Sequence, residues 1–274
     1  MILVWILIGI TVALSYQAFN NGVLFDRLKF HLGGVTDGRE YQRLVTSAFV
    51  HIDWLHLVLN MVVLYLFSQP VLFVYGLAGF FLLYFGANII GGLLKIYLHR
   101  HSWNYTSVGA SGAINGIVFA LITYAPSMGI GFLFIPIDIP AWLFGFLYIA
   151  YSIFAYDRKL GYSSHAAHLG GAIGGVLLAV LLQPDLLIHN GWVVLLIVGP
   201  VAGLMALLHF YPEYLHFDKF VEKKAFQKRE EFREKKRMSQ AEELDMLLEK
   251  VNSGGLDSLT PPERRRLEEL SRNL

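Results

Sequence analysis

The sequence predicts an all-α integral membrane protein, in which a bundle of apolar helices precedes a charged tail. The 274 residues are 55% hydrophobic and 16% charged, with a mean hydropathy of +0.51, which is more apolar than a typical soluble domain. Apolar stretches long enough to cross a bilayer recur through the first 211 residues. Residues 213–274, by contrast, hold 14 of the 22 Lys and Arg and 14 of the 21 Asp and Glu.

Seven apolar stretches of about 20 residues each are the predicted membrane helices. Six of them form the expected core, residues 1–183: they are 2–19, 52–67, 71–98, 110–125, 139–156 and 166–182. The first lacks the basic start of a signal peptide, so we interpret it as a retained helix. The seventh, 192–211, lies within the segment 184–211 and contains Pro200. A re-entrant hairpin broken at Gly199 and Pro200 is the alternative.

The remaining segments are amphipathic or charged. Within residues 20–50, the stretch "VLFDRLKFHL" alternates apolar and charged side chains, which is typical of a segment in the membrane interface. The soluble tail, 212–274, is expected to be helical because i,i+4 charge pairs recur in it. A second short helix is expected to start at Thr260 and Pro261.

Several classes of function are excluded by composition. The net charge of +1 gives no indication of nucleic-acid binding, and the absence of cysteine excludes thiolate metal sites and thiol nucleophiles. Asp53 and Asp138 stand at the ends of apolar stretches, so no pair of carboxylates is expected inside the membrane. The polar residues left within the stretches are mainly histidine, asparagine and serine, and such residues mark functional sites in membranes.

Three of these polar sets begin alternate membrane helices. The second stretch opens with "HIDWLHLVLN", in which His56 and Asn60 are four residues apart and share a helix face. The fourth opens with "GASGAING", with Ser111 near its start, and the sixth with "HAAHLGG", with His168 one turn in. Alternate helices run in the same direction, so all three sets are predicted to lie near one membrane face.

Glycines at four-residue spacing predict that the fourth and sixth helices approach closely. The residues expected to face each other are Gly112 and Gly116 on one side and Gly170, Gly171, Gly174 and Gly175 on the other.

This approach would bring the Ser111 hydroxyl within hydrogen-bond reach of His168, as a nucleophile and its base require. The Ser111 amide at a helix N-terminus would stabilise an oxyanion. His56 and Asn60 could add donors, each typically worth ~2.7–4 kcal/mol in the transition state.

Taken together, the three motifs resemble those of the rhomboid intramembrane serine proteases. The resemblance covers roughly residues 1–183 and implies a six-helix core and a Ser–His dyad without an acid. It further implies cleavage of transmembrane protein substrates near the membrane surface, with membrane lipid as the surroundings and without a cofactor, a metal or a nucleic-acid partner. The partner of the tail stays unknown.

The resemblance also assigns roles position by position. Ser111 is similar to the nucleophile of the family's Gly-Xaa-Ser-Gly motif, with Gly109 and Gly112 as its flanking glycines, and His168 to the base. His56 and Asn60 resemble the residues on the oxyanion side. His51 corresponds to a histidine of more structural character.

Two positions depart from the family pattern. Asn115 stands where relatives often carry an aromatic residue stacked on the catalytic histidine, and we expect Asn115→Tyr to preserve function. Gln42 replaces the tryptophan of a Trp-Arg pair whose arginine corresponds to Arg43.

Two other functions are also compatible with the sequence. Haem or a metal ion could be bound between helices by four histidines, which are His51, His56, His165 and His168. That hypothesis gives Ser111 and Asn60 no role. A catalytically inactive rhomboid-like binder of transmembrane helices is the other alternative.

Membrane orientation gives two opposed expectations. The loops on the predicted active face carry Arg27, Lys29, Arg39, Arg43, Arg100, Arg158 and Lys159, whereas the opposite turns carry no Lys or Arg. The positive-inside rule would place that face in the cytoplasm, whereas the family resemblance implies the other side, which we adopt. We expect a multi-pass protein of a bacterial inner (plasma) membrane.

Overall fold

The computed structural model describes residues 1–132, 135–158, 165–211 and 246–253, and in the tail also 255, 259–260, 262–264 and 266–267. The chain divides into two compact units, Met1–Phe210 and Tyr211–Leu274. Each unit is described by itself.

The first unit is built from helices, as the sequence predicts. In chain order the helices are α1 (Ile2–Asn20), α2 (Gly22–Leu28), α3 (Leu32–Thr36), α4 (Arg43–Thr46), α5 (Trp54–Leu98), α6 (Ser111–Tyr124), α7 (Ala141–Arg158), α8 (His165–Leu182) and α9 (Leu186–Phe210), with a 3-10 turn at Ser47–Phe49.

Two short antiparallel ribbons join the loops between these helices. Strand β1 (Phe30–His31) pairs with β2 (Thr106–Ser107), and β3 (Gly129–Phe132) pairs with β4 (Ile135–Pro140). The first ribbon ties the segment after α2 to the loop before α6. The sequence does not predict the first ribbon, because strands of two residues carry no periodicity of their own. It does not predict the second because β4 runs into the apolar stretch 139–156, which is expected to be helical throughout.

Within the described ranges, four helices are long and apolar enough to cross a membrane, namely α1, α5, α8 and α9, while α6 and 141–156 are shorter apolar helices. Helix α5 has 45 residues, more than twice the ~20 that a bilayer requires. It is divided at Gly76, whose φ of 67° is non-helical, into a first half (54–75) and a second half (77–98). It therefore supplies two of the predicted membrane helices.

The division of α5 corrects the sequence prediction, which ended one helix at residue 67 and began the next at 71. Ser68 and Pro70 lie inside the helix, and the Ser68 hydroxyl donates to the Leu64 carbonyl one turn back. Gly76 breaks the helix instead, since only glycine adopts a positive φ without a steric penalty. Helix α9 begins at Leu186, but its backbone is non-helical at Asn190, so the part after this kink begins close to the predicted start at residue 192.

Helix α6 lies at the centre of the first unit. Every residue from Gly112 to Thr123 is buried, which is typical of a helix surrounded by other helices rather than by lipid or water. Its first residue, Ser111, is only partly buried. The N-terminal end of α6 therefore meets an open region, while its body is enclosed by protein.

Helices α6 and α8 are in backbone contact through two pairs of glycines. A β-carbon added to Gly171 would overlap the carbonyl oxygen of Gly112, and one added to Gly175 would overlap that of Gly116. Any side chain at these positions would therefore push the two helices apart.

The other two glycines of α8 face a different helix from the one predicted. A β-carbon at Gly170 would lie 2.6 Å from the Cα of Gly91, and one at Gly174 would lie 2.9 Å from the Cα of Ala87, both on the second half of α5. Adjacent residues on a helix point about 100° apart, so neighbouring glycines cannot both face α6. Helix α8 is thus packed closely on two sides.

The described part of the tail contains short helical pieces. Residues 246–253 are helical, and so are 262–264 and 266–267. The Thr260 amide and hydroxyl both donate to the Glu263 carboxylate at 2.7 Å, so a helix starts where the sequence predicts. Hydrogen bonds from Lys250 and Thr260 lower the pKa of Glu263 to about 2. Most of the long predicted tail helix lies outside the described residues.

We predict that Gly175→Val destabilises the protein, because its side chain would overlap the Gly116 carbonyl. Overpacking a tight interface typically costs about 1–3 kcal/mol, measured as a lower midpoint of thermal unfolding in detergent. Gly203→Val on α9 is the matched control, since nothing lies within 4 Å of a β-carbon there. Equal midpoints for the two variants would contradict the assignment of this contact.

We predict that α9 crosses the membrane and brings the tail to the side on which α6 begins. The chain has no native cysteine, so Asn104→Cys in the loop before α6 and Ser253→Cys in the tail can be labelled with an impermeant thiol reagent. Both should react from the same side, while Asp185→Cys in the turn before α9 should react from the other. Opposite accessibility of the first two would rule out a seventh crossing.

Candidate active site at the N-terminal ends of two helices

Ser111 and His168 are joined by a hydrogen bond in this structure. The Oγ of Ser111, the first residue of α6, lies 2.8 Å from Nε2 of His168, in the first turn of α8. Both residues are partly buried. A hydroxyl in contact with an imidazole nitrogen is the arrangement that activates a serine as a nucleophile.

The turn before Ser111 places the start of α6 at this point. Gly109 has a φ of 113°, a conformation that side chains disfavour, and its N–H donates to the Ser47 carbonyl at 2.9 Å. Ala110 follows as the N-cap of α6. The amides of the first helical turn then have no acceptor within the helix and favour a negative charge.

His51 anchors this turn to the first helix of the chain. Its Nε2 accepts from the Ala110 N–H at 3.3 Å, so in the neutral ring the proton is on Nδ1. That nitrogen lies 3.0 Å from the Ser15 hydroxyl, which in turn donates to the Phe49 carbonyl at 3.0 Å. Burial, helped by the nearby His56, lowers the pKa of His51 to about 3, so the ring stays neutral.

His56 lies directly against the glycine of this turn. A β-carbon on Gly109 would come within 2.6 Å of the His56 ring, so Gly109 is required by the space as well as by its φ. The His56 ring also meets the ring of His51 edge-on, at 4.9 Å between centroids. At the head of α5, the Asp53 carboxylate accepts from the His56 amide at 2.7 Å.

Asn60 lies one turn further along α5 and is bound to its own helix. Its side-chain amide donates to the His56 carbonyl at 2.7 Å, and the structure shows no hydrogen bond from Asn60 to Ser111 or His168 among the described residues. An amide group has two N–H donors, so one remains for a ligand. The structure therefore brings His56 to the turn before Ser111 but does not join Asn60 to the dyad.

Asn115 contacts an aromatic residue that the sequence analysis did not single out. Its side-chain amide donates to the hydroxyl of Tyr148 on α7 at 2.8 Å. The Tyr148 ring lies 6.0 Å from the His168 ring, with 34° between their planes. Nothing in the pattern around residue 148 distinguishes this tyrosine from others in the same apolar stretch.

Lys95 is a second residue that the sequence analysis missed. It is 5% exposed, its Nζ lies 3.1 Å from the Ser107 hydroxyl, and it stands 3.9 Å above the ring centroid of Phe30. These contacts bind β1 and β2 to the second half of α5, which supports the loop leading to Ser111. Lys95 could have been found from the sequence as a lone lysine in an apolar stretch, because charged residues buried in membranes rarely lack a role.

Arg43 holds the segment between α1 and α5 together. Its Nη1 donates to the carbonyls of Asp26 and Lys29 at 2.7 and 2.8 Å, and its Nε donates to the Glu40 carboxylate. The arginine that the resemblance singled out therefore has a structural role in this chain, without a tryptophan at position 42.

His165 is close to the dyad but turned toward α7. Its ring lies 5.6 Å from the His168 ring and 5.8 Å from the Tyr151 ring, edge-on in both cases. It is 7% exposed. This placement gives His165 a role in packing the start of α8.

We predict that Ser111 reacts with a fluorophosphonate, which forms a P–O bond to the hydroxyl oxygen as fluoride leaves and His168 accepts the proton. Ser111→Ala should abolish labelling and His168→Ala should slow it by about 100-fold or more, measured as covalent label per protein over time. Ser102→Ala, in the loop before α6, should label as the wild type does. Normal labelling of Ser111→Ala would place the reactive hydroxyl elsewhere.

Comparison with known families identifies two parts of the chain. The model of the rhomboid domain matches residues 38–185, more than half of the chain. A model described as a family of unknown function (DUF6576) matches residues 227–273, in the charged tail.

Curated relatives resemble the same region. Rhomboid protein 1, mitochondrial, of Saccharomyces cerevisiae is 31% identical over 137 residues, which cover 49% of this chain and 40% of the relative. RHOMBOID-like protein 12, mitochondrial, of Arabidopsis thaliana is 29% identical over 188 residues, covering 61% and 55%. The human presenilin-associated rhomboid-like protein, mitochondrial, is 31% identical over 143 residues, covering 48% and 36%. The chain thus spans about half or less of the length of these relatives.

The names of these relatives correct the expectation about the membrane in which the protein lies. All three are named as mitochondrial proteins, so the expectation of a bacterial plasma membrane is wrong. The multi-pass membrane character agrees with the apolar helices of the structure. With a rhomboid domain model matching more than half of its length, the chain belongs to the rhomboid family of membrane proteins.

Proposed function

We propose that this protein is an intramembrane serine endopeptidase that cleaves transmembrane protein substrates near the membrane surface. The observation that carries the proposal is the 2.8 Å hydrogen bond between Ser111 Oγ and His168 Nε2. Membership of the rhomboid family, whose members are in general intramembrane serine proteases, supports it.

In the proposed reaction His168 acts first as a base and then as an acid. Its Nε2 takes the Ser111 proton as Oγ attacks the substrate carbonyl, and it then gives that proton to the departing amine. An acyl ester on Ser111 remains. A water molecule then attacks the ester while the same imidazole takes one of its protons and gives it to the Ser111 oxygen as the C–O bond breaks, which releases the second product and restores the serine.

The oxyanion formed in each attack needs donors near Ser111. The first-turn amides of α6 supply them, because they have no intrahelical acceptor. His56 lies against Gly109, two residues before Ser111, and is proposed as a side-chain donor. Asn60 is proposed to donate through the amide N–H that does not bind the His56 carbonyl. One such donor is typically worth about 2.7–4 kcal/mol.

Two alternatives explain fewer of these contacts. Both ring nitrogens of His51 are engaged, with Ser15 and with the Ala110 amide, so a metal ion or haem would have to break the anchor of the turn. A rhomboid-like binder that only holds transmembrane helices gives the Ser111 to His168 hydrogen bond no purpose. We therefore favour the protease.

The proposed division of the chain follows from these assignments. Residues 1–183 are the protease core, 184–211 a seventh transmembrane helix and 212–274 a soluble tail. Substrates are transmembrane proteins, as the family acts on them in general.

The decisive experiment is cleavage of a tagged model transmembrane substrate by the purified protein in liposomes. The wild type should cut and Ser111→Ala should not, while both proteins have the same thermal midpoint. Ser102→Ala is a control outside the site. If the wild type bound the substrate but never cut it, the inactive-binder alternative would replace this proposal.

We predict that the dyad behaves as a unit in the same assay. Ser111→Ala and His168→Ala should each remove nearly all activity, and the double variant should be no slower than either single variant. His56→Ala and Asn60→Ala should reduce kcat only in part, by about 100- to 1,000-fold each. Retention of most of the wild-type rate in His168→Ala would show that another group is the base.

A further inference from the structure

We propose that Tyr148 on α7, held by Asn115 on α6, is the positioning residue that orients the His168 imidazole. This inference rests on the proposed function and deepens it, because it makes the alignment of the base depend on a helix that carries neither member of the dyad. Tyr148 touches the base rather than the reacting bond, so it acts through His168.

The contacts of His168 leave its orientation to its neighbours. In the part of the chain that the structure describes, no hydrogen bond joins His168 to a carboxylate, so the third group that orients the base in many serine enzymes has no counterpart here. The Ser111 hydroxyl fixes the distance to Nε2, but a single contact leaves the ring free to rotate about it. The His165 ring, on the same helix, meets the His168 ring edge-on at 5.6 Å, and a second contact, from another helix, restricts the rotation further.

Tyr148 provides this second contact. Its ring centroid is 6.0 Å from that of His168, with the planes inclined by 34°, within the range of ring pairs that attract each other beyond their buried area. The separation is short enough that an imidazole turning out of its plane would meet the phenol ring. Tyr148 therefore limits the rotation of the His168 imidazole on one side.

The Tyr148 ring is itself held in place by three contacts. Asn115 donates to the Tyr148 hydroxyl at 2.8 Å, and the Tyr148 ring packs against Phe119 on α6 at 5.7 Å and Phe144 on α7 at 6.0 Å. Asn115 is 7% exposed, and a buried amide needs a partner. Asn115 and Tyr148 thus satisfy each other while they fix the ring.

This arrangement explains the departure at Asn115 from the family pattern. Asn115, one turn after Ser111, has no ring to place against His168. It holds the Tyr148 ring, which lies beside His168. This arrangement also changes the expectation for Asn115→Tyr. A tyrosine there would compete with Tyr148 for the same space beside His168, so the single variant should lose activity instead of preserving it.

The test compares four variants, together with the two single components of the fourth, by cleavage in liposomes and by fluorophosphonate labelling. Tyr148→Leu should lower kcat by about 10- to 100-fold with KM nearly unchanged, because misplacement of a catalytic group by about 1 Å costs up to about 100-fold. Tyr148→Phe keeps the ring and should retain at least a third of the rate. Phe146→Leu, at an exposed position on the same helix, is the matched control and should cleave normally.

The fourth variant, a double one, replaces the aromatic ring on α7 with one on α6. Asn115→Tyr combined with Tyr148→Ala should recover most of the rate that each single change removes, since one ring again lies beside His168. A purely structural role for Tyr148 would not produce this rescue. Thermal midpoints, measured for all variants, separate loss of folding from loss of alignment.

The outcomes distinguish this inference from the proposed function. If the wild type cleaves and labels but Tyr148→Leu does so at the same rate, the positioning role is wrong and the protease stands. Failure of the double variant to exceed the single ones, with all of them folded, overturns it as well. If the wild type neither cleaves nor labels, the proposed function itself fails.

Discussion

The close approach of α6 and α8 is the constraint on which the site depends. Gly171 and Gly175 contact the backbone carbonyls of Gly112 and Gly116, so the two helices touch without intervening side chains. A helix pair separated by ordinary side chains has its axes about 8–10 Å apart, and the short reach of a serine would not then close the distance to an imidazole. The glycine contact is therefore a requirement of the chemistry as well as of packing.

The enclosed body of α6 and its open N-terminal end place a polar site at the edge of an apolar bundle. Two threonines within the helices bind their own backbone: Thr11 donates to the Leu7 carbonyl and Thr123 to the Phe119 carbonyl, each at 2.8 Å. Such bonds satisfy groups that lipid cannot satisfy. At the start of α6, by contrast, polar groups from several elements meet, and Ser111 and His168 are only partly buried.

Support for the dyad comes from residues distant in the sequence. His51 links the turn before Ser111 to α1, and Lys95 holds the first ribbon beside that turn. Tyr148 adds α7 to this support. Each contact is modest, but together they join the proposed base and nucleophile to α1, α5 and α7, and such support can preorganise a site.

The sequence by itself determined the class of the protein and predicted Ser111 and His168 as its dyad. Apolar stretches, the absence of cysteine and the glycine-flanked Ser111 and His168 are local features, and local features are readable from a linear pattern. Only the tertiary structure decided that α5 breaks at Gly76, that Gly170 faces α5, and that Tyr148 contacts the base. The reason is physical: helix periodicity shows which residues share a face, but not which helix lies against that face. Nor does it show which of several possible residues bends the chain, since that choice depends on how the whole bundle packs.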